Sequence, residues 1–147
     1  MGLVEALLDF HRRLAEGRLA GLDEVFSFES AFSYWCDIAN SLGQVGPERG
    51  AFARMLEEHF ASPEVVAEVR SYTPSDFREK TMGRICSVVF RRKREAGANG
   101  ADEEGVASMI SEGGAWRVRT FPGVFPGGLL SRLRMERDSG TFGKARQ

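Results

Sequence analysis

Only two of the 147 residues are cysteine and two are histidine, which removes several classes of chemistry at once. Cys36 and Cys86 are too few and too far apart for a disulfide framework or a zinc knuckle; two free thiols in a reducing cytosol are expected, with a single bridge left open. His11 and His59 have no histidine or glutamate four positions before them, so neither belongs to a helical metal pair, and both are expected as partly buried structural residues. No metal and no cofactor are expected. No window approaches the roughly 18 apolar residues of a membrane span, and Glu5 and Asp9 interrupt the apolar residues that a signal peptide would need. The expectation is a cytoplasmic protein without a membrane partner. A formal charge of -1 supplies no global attraction for nucleic acid. Equally lacking are a P-loop, a dinucleotide fingerprint and a Ser, His and Asp arrangement in the order such sites need.

What is present reads as one soluble globular domain, with 42% hydrophobic and 28% charged residues over a length that suits a single core. Leu3, Leu7, Phe10 and Leu14, widened by Val4 and Leu8, form the apolar stripe of a first helix. Asp9 and Arg13 pair along it at i,i+4, and Gly17 stops it. A second short helical pattern runs through Leu19, Leu22, Val25 and Phe26. Phe28, Phe32, Trp35, Ile38 and Leu42 repeat at helical spacing between a cap at Ser27 and a stop at Gly43, although this aromatic density also suits a strand. Gly46-Pro47-Glu48 starts a further helix with Phe52, Met55, Leu56, His59 and Phe60 on its buried stripe. Ser62-Pro63-Glu64 repeats that start before Val65, Val66 and Val69, where helix and strand compete until Thr73-Pro74.

From Phe77 onward the period changes from about 3.6 to 2. Residues 82–90 read as one strand covered on both faces, and Gly105 to Ser111 as its partner. Arg91 to Arg94 on one arm face Asp102, Glu103 and Glu104 on the other across a small-residue loop, so this basic run is read as a cross-strand-paired hairpin end and not as a phosphate site. Gly113-Gly114 permits the positive φ of a tight turn before the half-buried strand Ala115-Trp116-Arg117-Val118. Phe121-Pro122-Gly123 and Phe125-Pro126-Gly127 form a tandem repeat that cannot sit inside a central strand. The fold class is therefore α+β, N-terminal helices on an antiparallel sheet, with a domain over 1–126 and a C-terminal tail over 127–147. In that tail Arg132, Arg134, Arg137, Lys144 and Arg146 outnumber Glu136 and Asp138, and its end is expected to be disordered. The rival is a winged-helix arrangement, which fares worse because its recognition segment, residues 63–72, would carry Glu64 and Glu68 against Arg70.

Three segments resemble the nuclear transport factor two-like superfamily, in particular its small SnoaL-like, polyketide cyclase-like members. Phe10 to Leu22 is similar to their opening helix-turn-helix, Gly46 to Phe52 to the start of their third helix, and Gly113 to Val118 to the Gly-Gly-x-Trp segment of their last strands. The resemblance covers roughly residues 3 to 120. It implies a cystatin-like cone of helices packed on a curved antiparallel sheet, frequently homodimeric, with a cavity between the two layers.

Within such a cone, Tyr34 and Asp37 are the candidate catalytic pair, three residues apart on one helical face, with Asp37 as base and Tyr34 as hydrogen-bond donor in an isomerase, dehydratase or cyclase. A solvated helix face explains the same spacing more simply. Phe32, Trp35, His59, Cys86 and Trp116 are the candidate ligand-binding residues. Five aromatics, Phe26, Phe28, Phe32, Tyr34 and Trp35, crowd into ten residues, for which core packing is the first explanation. The preferred reading is a homodimeric binding module for a small apolar molecule or a protein partner. Only one ionisable side chain with a catalytic rationale points to chemistry instead.

Overall fold

The computed structural model describes residues 2–94 and 103–130, so the loop residues 97–100, Asp102 and the basic residues 132–146 of the tail lie outside the described residues. Four α-helices precede four strands: α1 (Leu3–Glu16), α2 (Phe28–Ser41), α3 (Arg49–Phe60), α4 (Pro63–Arg70), then β1 (Tyr72–Met82), β2 (Ile85–Arg94), β3 (Glu103–Glu112) and β4 (Ala115–Thr120). The strands pair antiparallel in the order β1-β2-β3-β4. The α+β class expected from sequence is the architecture observed.

Local chemistry sets the element ends. Gly17 takes a left-handed conformation at φ 71° and its N–H donates to the Leu14 carbonyl, closing α1. The Ser27 hydroxyl accepts from the Ser30 N–H and caps α2, so 28–41 is helix. Ser62 caps α4 with Pro63 at its first position, settling the valine-rich segment as helix. By contrast α3 begins at Arg49, leaving Pro47 and Glu48 just ahead of it.

The sheet corrects two expectations. The strand read through 82–90 is interrupted by a two-residue turn at Gly83 and Arg84, which pairs Met82 with Ile85. Met82 consequently stands 69% exposed on the outer face while Cys86 is buried on the inner one. Strand β1 also starts earlier than the period change, at Tyr72, and takes in Thr73 and Pro74. Pro74 is tolerated because β1 is an edge strand, where a missing N–H costs no ladder bond on the open side. Register shifts at Ser75/Arg78 and Ser108/Met109 mark bulges, which bend strands locally.

The core lies between the inner sheet face and the helices. Cys86, Val88, Phe90, Ala107, Met109 and Val118 from the strands meet Leu7, Phe10, Leu14, Trp35, Phe52, Leu56 and Phe60 in one cluster. After β4 the chain folds back over it: Phe121 and Phe125 exchange backbone hydrogen bonds of 2.7 and 3.0 Å, and Val124, Phe125 and Leu129 are buried. The packed core thus continues beyond residue 126, where the sequence placed the boundary of the tail.

Candidate functional site

Between α1 and α2 the chain does not form the second helix expected from Leu19, Leu22, Val25 and Phe26. Only Leu22–Glu24 turn, as a short 3-10 helix between Gly21 and Val25. The reason is a long-range pairing. The Val118 N–H donates to the Val25 carbonyl at 2.7 Å and the Ser27 N–H to the Val118 carbonyl at 2.8 Å, so residues 25–27 bind beside β4 as a parallel bridge. Arg117 Nε adds a bond of 2.9 Å to the Asp23 carbonyl. This segment is therefore clamped to the sheet from the middle of the 3-10 turn to the residues that follow it.

Facing it, α3 presents Ala53, Leu56, Glu57 and Phe60, which recur at i, i+3, i+4 and i+7 and share one helical face. The two surfaces enclose an apolar cleft of about 370 Å³. Phe26, Leu56 and Phe60 are its buried floor, Leu19, Leu22 and Phe28 its half-buried walls, and Ala20, Asp23, Ala53 and Glu57 its exposed rim. A volume of this size with aromatic and aliphatic lining falls within the range of small-molecule sites.

A second cleft, of about 450 Å³, opens where the β1 bulge turns Asp76 to φ 54°. Its lining of Asp76, Phe77, Arg78, Arg91, Glu103 and Glu104 is polar, and its charges satisfy one another. Arg91 pairs with Asp76 at 3.5 Å and Arg78 with Glu104 at 2.5 Å, while Arg92 bridges Glu68 at 3.3 Å and Glu103 at 2.8 Å. The cross-strand pairing expected for the basic run is found at Arg92 and Glu103.

Behind this cleft sits a polar cluster that sequence reasoning missed. The His11 ring lies 5.1 Å from that of Tyr72 and 6.3 Å from that of Phe121, and the Arg92 guanidinium stands 5.8 Å over Tyr72. Burial pushes the His11 pKa below 6.5, against backbone hydrogen bonds with Val69 and Tyr72 that act to raise it. Its Nε2 is buried without a hydrogen-bond partner among the described residues. Asp9, the partner of Arg13 on α1, is buried; burial raises its pKa, yet hydrogen bonds and charge from Arg13 and Arg12 outweigh that and lower it below 3.8.

The residues singled out from sequence do not converge. Asp37 is exposed, whereas Tyr34 is half-buried with its ring 6.0 Å from Phe125, and no hydrogen bond joins the two. They form no enclosed acid-base pair. Trp35 is buried against Phe52, and Phe32 stacks 6.0 Å from Phe28 beneath the Arg49 guanidinium. His59 is buried and its Nε2 donates to the Val124 carbonyl at 2.7 Å, pinning the returning chain to α3. Cys86 is a free, buried thiol on the inner sheet face, and Cys36 is free and half-buried. Trp116 shares that inner face at a half-buried position paired with Ser111. None of these seven candidates lines either cleft.

Among the described residues no cluster of histidine, cysteine and acidic side chains is placed to hold a metal, and no helix is long and apolar enough to cross a membrane. No protein-family model matches the chain, and neither a curated protein nor a solved structure matches it.

Proposed function

We propose that this protein is a small binding module that holds a ligand with an apolar body in the cleft between the 19–28 segment and α3. One observation carries the reading: a cleft of about 370 Å³ whose floor is Phe26, Leu56 and Phe60, held open by backbone bonds to β4 on one side and a helix on the other. Such a preformed apolar surface gains affinity because little ordering is needed on binding. Binding is preferred to isomerase, dehydratase or cyclase chemistry because Asp37, the base that chemistry requires, stands in solvent. The cone of the nuclear transport factor two-like superfamily remains the fold family we propose, on the resemblance of its helix starts and its Gly-Gly-x-Trp strand.

N-phenyl-1-naphthylamine, a neutral apolar fluorophore, tests the cleft. Saturable enhancement at one site per chain is expected, abolished by Ala53→Trp, whose ring would fill the mouth without touching the core. An absence of saturable binding, or unchanged binding by the folded variant, refutes the reading.

The homodimer is proposed on a separate observation. On the outer sheet face Val106, 55% exposed, pairs with Val89, while Met82 adjoins Ile85 and Ile85 pairs with Ile110. These residues form a strip across β1, β2 and β3 that is apolar at both ends and interrupted by the Ser87 and Ser108 pair; exposed apolar patches of this kind mark association surfaces. A second copy supplies the same strip in return. Light scattering after size exclusion should report a dimer, and Val106→Glu a monomer; a monomeric parent protein removes the proposal.

A further inference from the structure

We infer that the ligand of the apolar cleft carries a cationic group, as a primary or substituted amine attached to an aromatic or aliphatic body. This rests on the cleft being the binding site. Among the described residues its only ionisable lining side chains are Asp23 and Glu57, both acidic and both exposed at the rim. They belong to opposite walls, Asp23 to the 3-10 turn and Glu57 to α3, so a head group leaving the apolar floor passes between them.

Their charges are available. Among the described residues neither carboxylate makes an ion pair or hydrogen bond, whereas the basic residues of the bordering segments other than Arg54 are engaged elsewhere. Arg13 binds Asp9 and the Ala20 carbonyl, Arg18 binds Glu16, Arg49 binds Glu29, and Arg117 binds the backbone of Asp23 and Glu112. Arg54, beside Ala53 on α3, is not among the lining residues. An anionic head would meet two like charges at the mouth, and a neutral head would leave both unused. Phe28 in the wall adds an aromatic ring, a surface that favours cations; Arg49 already lies 5.4 Å over it.

Three probes of matched shape separate the possibilities: 4-phenylbutylamine, 4-phenylbutan-1-ol and 4-phenylbutyrate, each displacing N-phenyl-1-naphthylamine from the full chain. The amine is expected to compete at roughly three- to tenfold lower concentration than the alcohol, with the carboxylate weakest, because exposed ion pairs contribute modestly. The preference should shrink in high salt. In the Asp23→Asn, Glu57→Gln double variant the preference for the amine over the alcohol should disappear. Equal competition by amine and alcohol, a winning carboxylate, or a preference that survives the double variant overturns the cationic head group while leaving the cleft as a binding site. Failure of the fluorophore to bind the parent protein overturns both.

Discussion

Replacing Phe10 by alanine should be the most damaging single change in the core, and its size can be worked from the packing. The side chain is fully buried, and its ring lies 5.5 Å from Phe26, 5.9 Å from Phe60 and 5.2 Å from Phe121. Each of those rings comes from a different element: the bridge beside β4, the end of α3, and the chain returning after β4. Loss of the buried side chain removes about 1.5–3 kcal/mol of transfer free energy, and each aromatic pair about 0.5–1.5 kcal/mol more, without strict additivity. With the cavity left behind, a total of about 3–5 kcal/mol is expected. At a urea slope of ~2 kcal/mol per molar the midpoint should fall by about 2 M. Phe10→Leu, which keeps most of the volume, should cost less than about 1.5 kcal/mol. The control is Phe32→Ala, since Phe32 is half-buried near the surface. If Phe10→Ala costs no more than Phe32→Ala, the aromatic cluster is not what joins these four elements.

Three further outcomes are expected. His11, with its pKa depressed by burial, stays neutral in the folded chain at a pH where the unfolded chain takes up a proton. Stability should therefore fall as pH drops below 6.5 and reach its full loss below the folded pKa. His11→Phe should flatten that part of the urea-midpoint profile, and an unchanged slope refutes the assignment. Arg13→Gln leaves the buried Asp9 carboxylate, otherwise bonded at 3.0 Å, with only the more exposed Arg12; it should cost about 1–2 kcal/mol at neutral pH and be partly rescued by Asp9→Asn, as thermal denaturation would show. Gly105→Ala places a Cβ 3.0 Å from both Phe90 and Pro122, so overpacking of about 1–3 kcal/mol is expected from chemical denaturation, and a neutral effect would mean the returning segment yields freely.

How far the sequence revealed the fold depended on whether the deciding interaction was local. The Leu3, Leu7, Phe10 and Leu14 stripe of α1, its Asp9 and Arg13 pair and its stop at Gly17 involve neighbours close in sequence and are found as expected, although Leu8, expected to widen the stripe, is exposed. The same holds for the turn before β4, where Gly113 and Gly114 adopt φ 57° and 82°. Strand β1 was hidden because it is an edge: past Pro74 its residues are half-buried or exposed, so the alternation that marks a strand scarcely appears. The Gly83 and Arg84 turn was hidden for the opposite reason, since apolar residues on both sides of it imitate one continuous strand.

The cleft was illegible for a related cause, and the cause bears on what the site is. Leu19, Leu22, Val25 and Phe26 have helical spacing, and as an isolated peptide they would satisfy a helical template. What prevents that is Val118, whose N–H and carbonyl engage Val25 and Ser27 at 2.7 and 2.8 Å. Those two bonds commit the Val25 carbonyl and the Ser27 N–H to the sheet, so the turn made by the Val25 and Phe26 N–H groups on the Leu22 carbonyl goes no further as a helix, and Leu19, Leu22 and Phe26 face α3. The spacing therefore recorded an apolar surface correctly while mistaking its conformation. A surface of this kind, denied its own helix by a distant strand and left half-covered by α3, is where the chain has apolar area still to bury. On the binding function we propose, a ligand entering there would complete the packing that residues 19–28 begin.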